Sequence, residues 1–184
     1  MTRGLDGHFL EIGVFRGGSA HTALRYLEAR ARAAGSTPRQ AVLIDTFEGF
    51  DYPEAATSVD AIWGGTHQLG GADRAMKEIA DAIGDVDVEF RLVRGNVIVD
   101  PIPEDVRSVS VANIDVDMYE PTRAALERVD PLMQVGGVLI LEDPPGTPAL
   151  YGAFMAMRDF LETEGGSNYL CVHKSSQYFL VKRA

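Results

Sequence analysis

Asp115 and Asp117 in "IDVDMYEP", and Glu142 and Asp143 in "LEDPPG", are acids that each follow an apolar run. The runs, "SVSVANIDVD" (108–117) and "GGVLILED" (136–143), read as neighbouring parallel strands, so the acids gather at one edge of a sheet. Crowded carboxylates repel unless a cation or a proton intervenes. Oxygen ligands of this kind suit a hard divalent cation that keeps some of its waters. Magnesium would stand about 2.0–2.1 Å from each ligand. Asp115 is the expected ligand from the first strand, being closer to the strand tip. Asp117 falls past that tip and is left for substrate or for capping the next helix. The expected metal set is therefore Asp115, Glu142 and Asp143; the plainer alternative is that these acids only solvate strand ends.

A second chemical signal lies near the N-terminus. "HFLEIGVFRGGSAHTAL" is an apolar run, then a glycine-rich turn, then helix formers, the pattern of a strand entering a ligand-cradling loop. Its glycines are Gly13, Gly17 and Gly18. A dinucleotide fingerprint starting at Gly13 needs glycine at position 15, where Phe15 stands. A phosphate loop needs Gly-Lys-Ser/Thr, and "GGSA" has no lysine. The spacing E-x-G-x-x-x-G-G-S resembles the first motif of class I S-adenosylmethionine (SAM)-dependent methyltransferases. On that reading Gly13 lets the backbone approach the cofactor, and Gly17, Gly18 and Ser19 complete the cradle. Glu11 would take the methionine amino group, directly or through water. Asp45 ends "AVLIDTF" (41–47), where an acid can hydrogen-bond both ribose hydroxyls. Asn96 in "RGN" falls where an adenine edge would lie.

These residues need a scaffold. Residues 8–12 read as the first strand, followed by a helix with Ala20, Ala23, Leu24, Leu27 and Ala31 on one face. Ser19 is placed to cap that helix and Gly35 to end it. "AVLIDTF" is apolar enough for a strand buried on both faces. Residues 53–71 have no firm period and read as a surface loop with at most a helical turn. A helix over 72–83, a strand at 88–95, a short helix or turn at 102–106, the acid-bearing strands, and helices over 121–132 and 148–164 follow. "NYLCVHKS" and "QYFLVKR" close the chain as a hairpin. Strand–helix alternation implies a parallel sheet, and the terminal hairpin an antiparallel edge. The expected fold is Rossmann-like α/β: a mostly parallel seven-stranded sheet with helices on both faces, in one domain over residues 1–184.

The chain has 184 residues, 46% of them hydrophobic, which is enough for a real core. It has no eighteen-residue apolar run and no apolar leader at "MTRGLDG", so no membrane partner and a cytoplasmic location are expected. The single cysteine, Cys171, excludes an intramolecular disulfide. A formal charge of −10 disfavours nucleic acid. An open sheet edge and apolar surface suggest a homodimer.

The segments "EIGVFRGGSA", "LIDTFEGF", "IDVDMYEPTRAALE" and "GGVLILEDPPG", in that order, resemble the macrocin O-methyltransferase (TylF) family over residues 8–160. "DMYEPT" is close to that family's D-M-Y-E-S-T. The resemblance implies SAM- and Mg²⁺-dependent methylation of a hydroxyl on a small molecule, a sugar or polyol group of a natural product. It also maps the family's metal ligands onto Asp115, Glu142 and Asp143. Three departures bear on the substrate. Glu142-Asp143 replaces the family's Asp-Asp, "PP" follows the pair, and relatives carry a longer region before the first motif. Two other readings are a hydroxylase-like metalloenzyme on the same fold and a non-catalytic SAM-binding subunit. A facial metal site of the first kind would need histidines beside the acids.

Methylation of a hydroxyl also needs a proton acceptor, a role that a metal can share. Of four histidines, His8 reads as structural and His21 as solvent-facing or packed. His173, on the terminal hairpin whose counterpart lines the active site in this superfamily, ranks first as catalytic base. His67, in the Gly-rich 64–71 loop, ranks second. Tyr119 is a candidate substrate contact, and Trp63 and Phe47 are candidates for stacking on adenine or substrate.

Overall fold

The computed structural model describes residues 4–142 and 151–184. Seven strands form one sheet: β1 (His8–Ile12), β2 (Ala41–Asp45), β3 (Phe90–Arg94), β4 (Val109–Ile114), β5 (Met133–Leu141), β6 (Tyr169–Lys174) and β7 (Gln177–Lys182). Their order is β3-β2-β1-β4-β5-β7-β6. The first five are parallel, and the hairpin adds β7 antiparallel to β5 and β6 antiparallel to β7. The Rossmann-like class of the chain follows from this order.

Alternation along the strands builds two cores. On one face Leu10, Ile12, Val42 and Ile44 pack with helices α4 (Tyr119–Val129) and α5 (Tyr151–Leu161). On the other, Phe9 and Leu43 pack with α1 (Gly18–Ala34) and α3 (Ala72–Ile83). Leu24 of α1 and Leu126 of α4 are fully buried, each contributing about 1.5–3 kcal/mol. A short helix, α2 (Pro53–Thr57), lies between β2 and α3. Among the described residues no helix is long and apolar enough to cross a membrane.

Several local expectations change. Ser19 does not cap α1: Gly17 stands at that boundary with a left-handed backbone, and Ser19 is already helical. Its hydroxyl donates instead to buried Glu11 at 2.6 Å. Gly35 does end α1, its N–H reaching the carbonyls of Ala31 and Arg32. β5 begins at Met133, three residues before the expected start, because Met133 pairs with Val109 ahead of an irregularity in the ladder. The 53–71 loop carries α2 and a 3₁₀ turn at Ala61–Trp63. The start of the helix expected from residue 148 lies outside the described residues.

Candidate active site

A parallel sheet whose order reverses between β1 and β4 leaves a crevice at the carboxyl ends of those strands. Here that crevice is a cavity of about 350 Å³, within the roughly 300–1,000 Å³ range of small-molecule sites. Ile12 and Gly13 reach it from β1, Ile44 and Asp45 from β2, Gly95 and Asn96 from β3, and Asp115 and Asp117 from β4. Residues from the segment after β2, among them Phe50, Tyr52 and His67, complete the wall. Three aspartates line the cavity, and no lysine or arginine does among the described residues.

The floor is laced through the backbone. Gly13 N–H donates to the Ile44 carbonyl at 2.9 Å, and Asp115 N–H donates to Ile12 at 2.9 Å. Asp45 ties the glycine loop down. Its Oδ2 accepts the N–H groups of Val14 (2.7 Å) and Phe15 (2.9 Å), and its Oδ1 accepts that of Phe47 at 2.7 Å. Thr46 Oγ1 also stands 3.4 Å from Oδ1, but its one hydrogen serves the closer Gly49 carbonyl at 3.0 Å, so one of the carboxylate's roughly four acceptor directions stays open to a ligand. Asn96 is held similarly. Its Oδ1 accepts Ile98 N–H at 3.0 Å, and its Nδ2 donates to Glu54 of α2 at 3.1 Å. Arg128 of α4 fixes the same loop by donating to the carbonyls of Val97 and Ile98.

The segment after β2 is bound down at two places. Phe50 N–H donates to Thr66 O and Gly65 N–H donates to Phe50 O, both at 3.0 Å. Gly49 permits this pairing: its φ is +69°, and a Cβ there would stand 2.4 Å from the Thr66 carbonyl. Farther along, Asp60 accepts the Tyr119 N–H at 2.8 Å, a carboxylate cap for α4 supplied from outside the helix. Ser58 donates to Glu120 in the same turn. Between β4 and α4, Met118 N–H reaches back to Val116 O at 2.6 Å, and Asp117 at the centre of this turn has φ 59°. Tyr52 donates its hydroxyl to Met118 sulfur at 3.6 Å, and burial pushes its phenol pKa up.

Glu11 lies on the α1 face, fully buried and not on the cavity wall. Its Oε1 accepts from Ser19 at 2.6 Å and Asn113 at 3.1 Å. Its Oε2 and the Asn113 Oδ1 have no partner among the described residues. Burial, with the charges of Glu142 and Asp45 adding to it, pushes the Glu11 carboxyl up from 4.5 to about 7. The folded protein therefore keeps this proton where the unfolded chain has lost it. Stability should fall as pH rises from about 4.5 to 7. That shift corresponds to about 3 kcal/mol. Urea unfolding of the ligand-free protein at pH 5 and pH 8 checks this. The Glu11→Gln variant should flatten the profile, and a parent profile no steeper than the variant's would refute it.

Other expected site residues are placed as follows. Gly17 and exposed Gly18 and Ser19 start α1 beside the cavity without lining it. Glu142 follows β5: Ile114 and Leu141 are paired, and Glu142 N–H donates to the Ile114 carbonyl at 3.2 Å. Asp115 and Glu142 thus succeed paired residues of adjacent strands. Glu142 Oε1 also accepts from Gln177 at 2.6 Å. Asp143 lies outside the described residues. Among those described, no three metal-binding side chains cluster closely enough to hold an ion.

His173 is not brought to the cavity. It sits exposed on the outermost strand, its ring stacked on Tyr178 at 4.4 Å. His67 does line the cavity. Tyr119 is turned to Asp159 of α5 at 2.7 Å, and Phe47 is core. Trp63 stands beside His67. Sequence reasoning missed Phe50, Tyr52 and Val97, which arrive from segments without periodicity.

The macrocin-O-methyltransferase (TylF) family model matches residues 1–168. The chain belongs to that family. A relative from Streptomyces olivaceus, 8-demethyl-8-(2,3-dimethoxy-alpha-L-rhamnosyl)-tetracenomycin-C 4'-O-methyltransferase, is 31% identical over 160 residues. The match covers 78% of this chain and 55% of the relative, so the chain spans about half that protein's length. The calicheamicin methyltransferase CalS11 superposes with a TM-score of 0.73 at 25% identity, covering 96% of this chain and 72% of that one. The O-methyltransferase NovP gives 0.73 at 19% identity, with coverage of 97% and 72%; that likeness bears on the fold alone. In a TylF-type fold, the cavity at the ends of β1 to β4 is the candidate active site.

Proposed function

We propose that this protein methylates a hydroxyl of a sugar or polyol group on a small natural product, in the cytoplasm, using SAM and a divalent cation, Mg²⁺. One observation carries the reading: the cavity at the switch point presents Asp45, Asp115 and Asp117 and no lysine or arginine among the described residues. Such a wall repels the pyrophosphate of a dinucleotide and suits a cationic ligand. SAM supplies a methyl group on a positively charged sulfur. The relatives point the same way. The Streptomyces enzyme is named for a rhamnosyl-bearing substrate, and CalS11 is described as a TDP-rhamnose 3'-O-methyltransferase.

The residues divide the work. Gly13 and the N–H groups tied by Asp45 shape the cradle, Asp45 is placed for the ribose, and Gly95 and Asn96 for the adenine edge. Glu11 Oε2, without a partner among the described residues, is buried off the cavity wall, so it would serve an ammonium group through water. Asp115 and Glu142 are hard oxygen donors on adjacent strand ends, which fits two ligands of a Mg²⁺ site with Asp143 as the third. A cation held there polarises and orients a hydroxyl oxygen.

The test joins calorimetry with product analysis. SAM should bind in the micromolar range. Methyl transfer should occur to a rhamnosylated aromatic polyketide or a TDP-deoxysugar, stop in EDTA and recover with Mg²⁺. A protein that binds no SAM sinks the methyltransferase reading. Full turnover in EDTA sinks only the metal.

A further inference from the structure

Resting on the methyl-transfer reading, we propose that His67 is the catalytic base that takes the acceptor's hydroxyl proton, with Thr66 as the positioning residue that sets its tautomer.

The assignment follows from counting hydrogens. Thr66 Oγ1 stands 2.7 Å from the Trp63 carbonyl oxygen and 2.9 Å from His67 Nδ1. A hydroxyl has one hydrogen, and a carbonyl oxygen can only accept. The Thr66 hydrogen therefore goes to Trp63. Nδ1 must then be the donor to Thr66 Oγ1, so neutral His67 carries its proton on Nδ1. Nε2 is left with a lone pair, ready to accept a proton.

The ring is also packed among three aromatic side chains. Phe50 lies 4.9 Å from it by ring centroids, Phe15 5.5 Å and Trp63 6.3 Å. The His67 backbone has φ 60°, a left-handed conformation that a non-glycine residue holds only when its surroundings enforce it. Those surroundings are the Phe50–Thr66 and Gly65–Phe50 hydrogen bonds and the close approach at Gly49. Orienter, base and ligand cavity are thus in sequence.

The other histidines stand elsewhere, and the remaining bases on the cavity wall are its three aspartates. His8 is bonded to the Ser108 carbonyl and His21 to Asp85, and His173 is on the far hairpin. Of the aspartates, Asp45 is assigned to the ribose and Asp115 to the cation, which leaves Asp117 as the competing base among the described residues. His67 is exposed at the same cavity, so a proton it gains can leave to water.

The step balances. The hydroxyl oxygen forms a bond to the methyl carbon as the carbon–sulfur bond breaks, and the electron pair leaves on sulfur as a neutral thioether. The hydroxyl proton passes to His67 Nε2. One positive charge disappears from sulfur and one appears on imidazole, both within a cavity carrying Asp45, Asp115 and Asp117.

Two measurements test the proposal. In ¹⁵N-histidine-labelled protein, long-range ¹H–¹⁵N spectra should show His67 as the Nδ1–H tautomer. Thr66→Val should convert it to Nε2–H and lower kcat, and Thr66→Ser should restore both. His67→Asn keeps a donor near the Nδ1 position but lacks Nε2. It should lower kcat by about a hundredfold or more while SAM affinity stays within about threefold. An Nε2–H tautomer in the parent overturns the proposal. So does a kcat within fivefold of the parent for His67→Asn, or a matching loss of SAM affinity, which would make His67 a cofactor contact. A parent that binds no SAM defeats the methyl-transfer reading instead, and with it the role given to His67, while the tautomer result still reports on Thr66.

Discussion

Gly13→Val should abolish SAM binding and also lower the protein's stability by about 3 kcal/mol or more, the scale of a strained backbone plus a displaced neighbour. Both effects follow from where Gly13 sits. Its φ is +91°, a region that a β-branched residue avoids. A Cβ built there would lie 1.8 Å from the Asp115 carbonyl oxygen and 2.6 Å from its carbon. These are backbone atoms, so no rotamer change relieves the overlap. The Asp115 peptide must move, and it is bonded through its N–H to Ile12. The ends of β1 and β4 would part where Asp115 joins the cavity wall. The glycine is thus required by the neighbouring strand as well as by any ligand. Gly18→Ala is the matched control. A Cβ at Gly18 meets nothing within 4 Å, and the residue opens α1. Alanine there should raise stability by up to about 1 kcal/mol, in contrast to the loss at Gly13. Calorimetry and urea unfolding on both variants decide the matter. A Gly13→Val protein that binds SAM like the parent removes the loop from the site.

Residue chemistry made some of this legible in the sequence and left the rest hidden. The buried strands β1, β2 and β4 announce themselves as short apolar runs ending in acids or glycine. The stripes of α1 and α3 repeat at helical spacing, and the α3 bounds coincide with the reading. The ligand loop was visible because only small residues tolerate its turn. The segment from Thr46 to Gly71 was not legible, since long-range bonds hold it: Asp60 to the Tyr119 N–H, and Phe50 to Thr66 and Gly65. No local period encodes such contacts. His67 was ranked below His173 for the same reason. A hairpin signal says that two strands pair, but not which one docks on the sheet. β7, with Leu180 buried, takes the inner place, and β6 carries His173 to the outer edge. Ser19 misled because a serine at a helix start usually serves the helix; here Glu11, buried beneath it, takes the hydroxyl.

Asp115→Asn should slow methyl transfer by about a hundredfold or more, with SAM affinity changed by less than about threefold. The substitution keeps the shape of the side chain and removes its charge. Asp115 and Glu142 follow paired residues on adjacent strands, Asp115 on the cavity wall and Glu142 off it; on the proposed reading, a cation bound there would meet the acceptor rather than the cofactor. The glycine cradle and Asp45 are reached from β1 and β2. Loss of a metal ligand should therefore register in kcat before it registers in cofactor binding. The magnitude follows from Lewis-acid stabilisation, worth several kcal/mol of transition-state charge, where each 1.4 kcal/mol or so is tenfold in rate. A second readout needs no acceptor. A cation that binds only the folded protein stabilises it, by about 2.7 kcal/mol at a hundred times its Kd. Mg²⁺ should raise the parent's Tm and leave Asp115→Asn unmoved. Glu142→Gln should lose the same response, because on the proposed reading it supplies the second ligand. If Mg²⁺ shifts neither protein and EDTA spares turnover, the acids solvate their strand ends, and Asp115 orients the hydroxyl by hydrogen bonding while His67 takes the proton unaided.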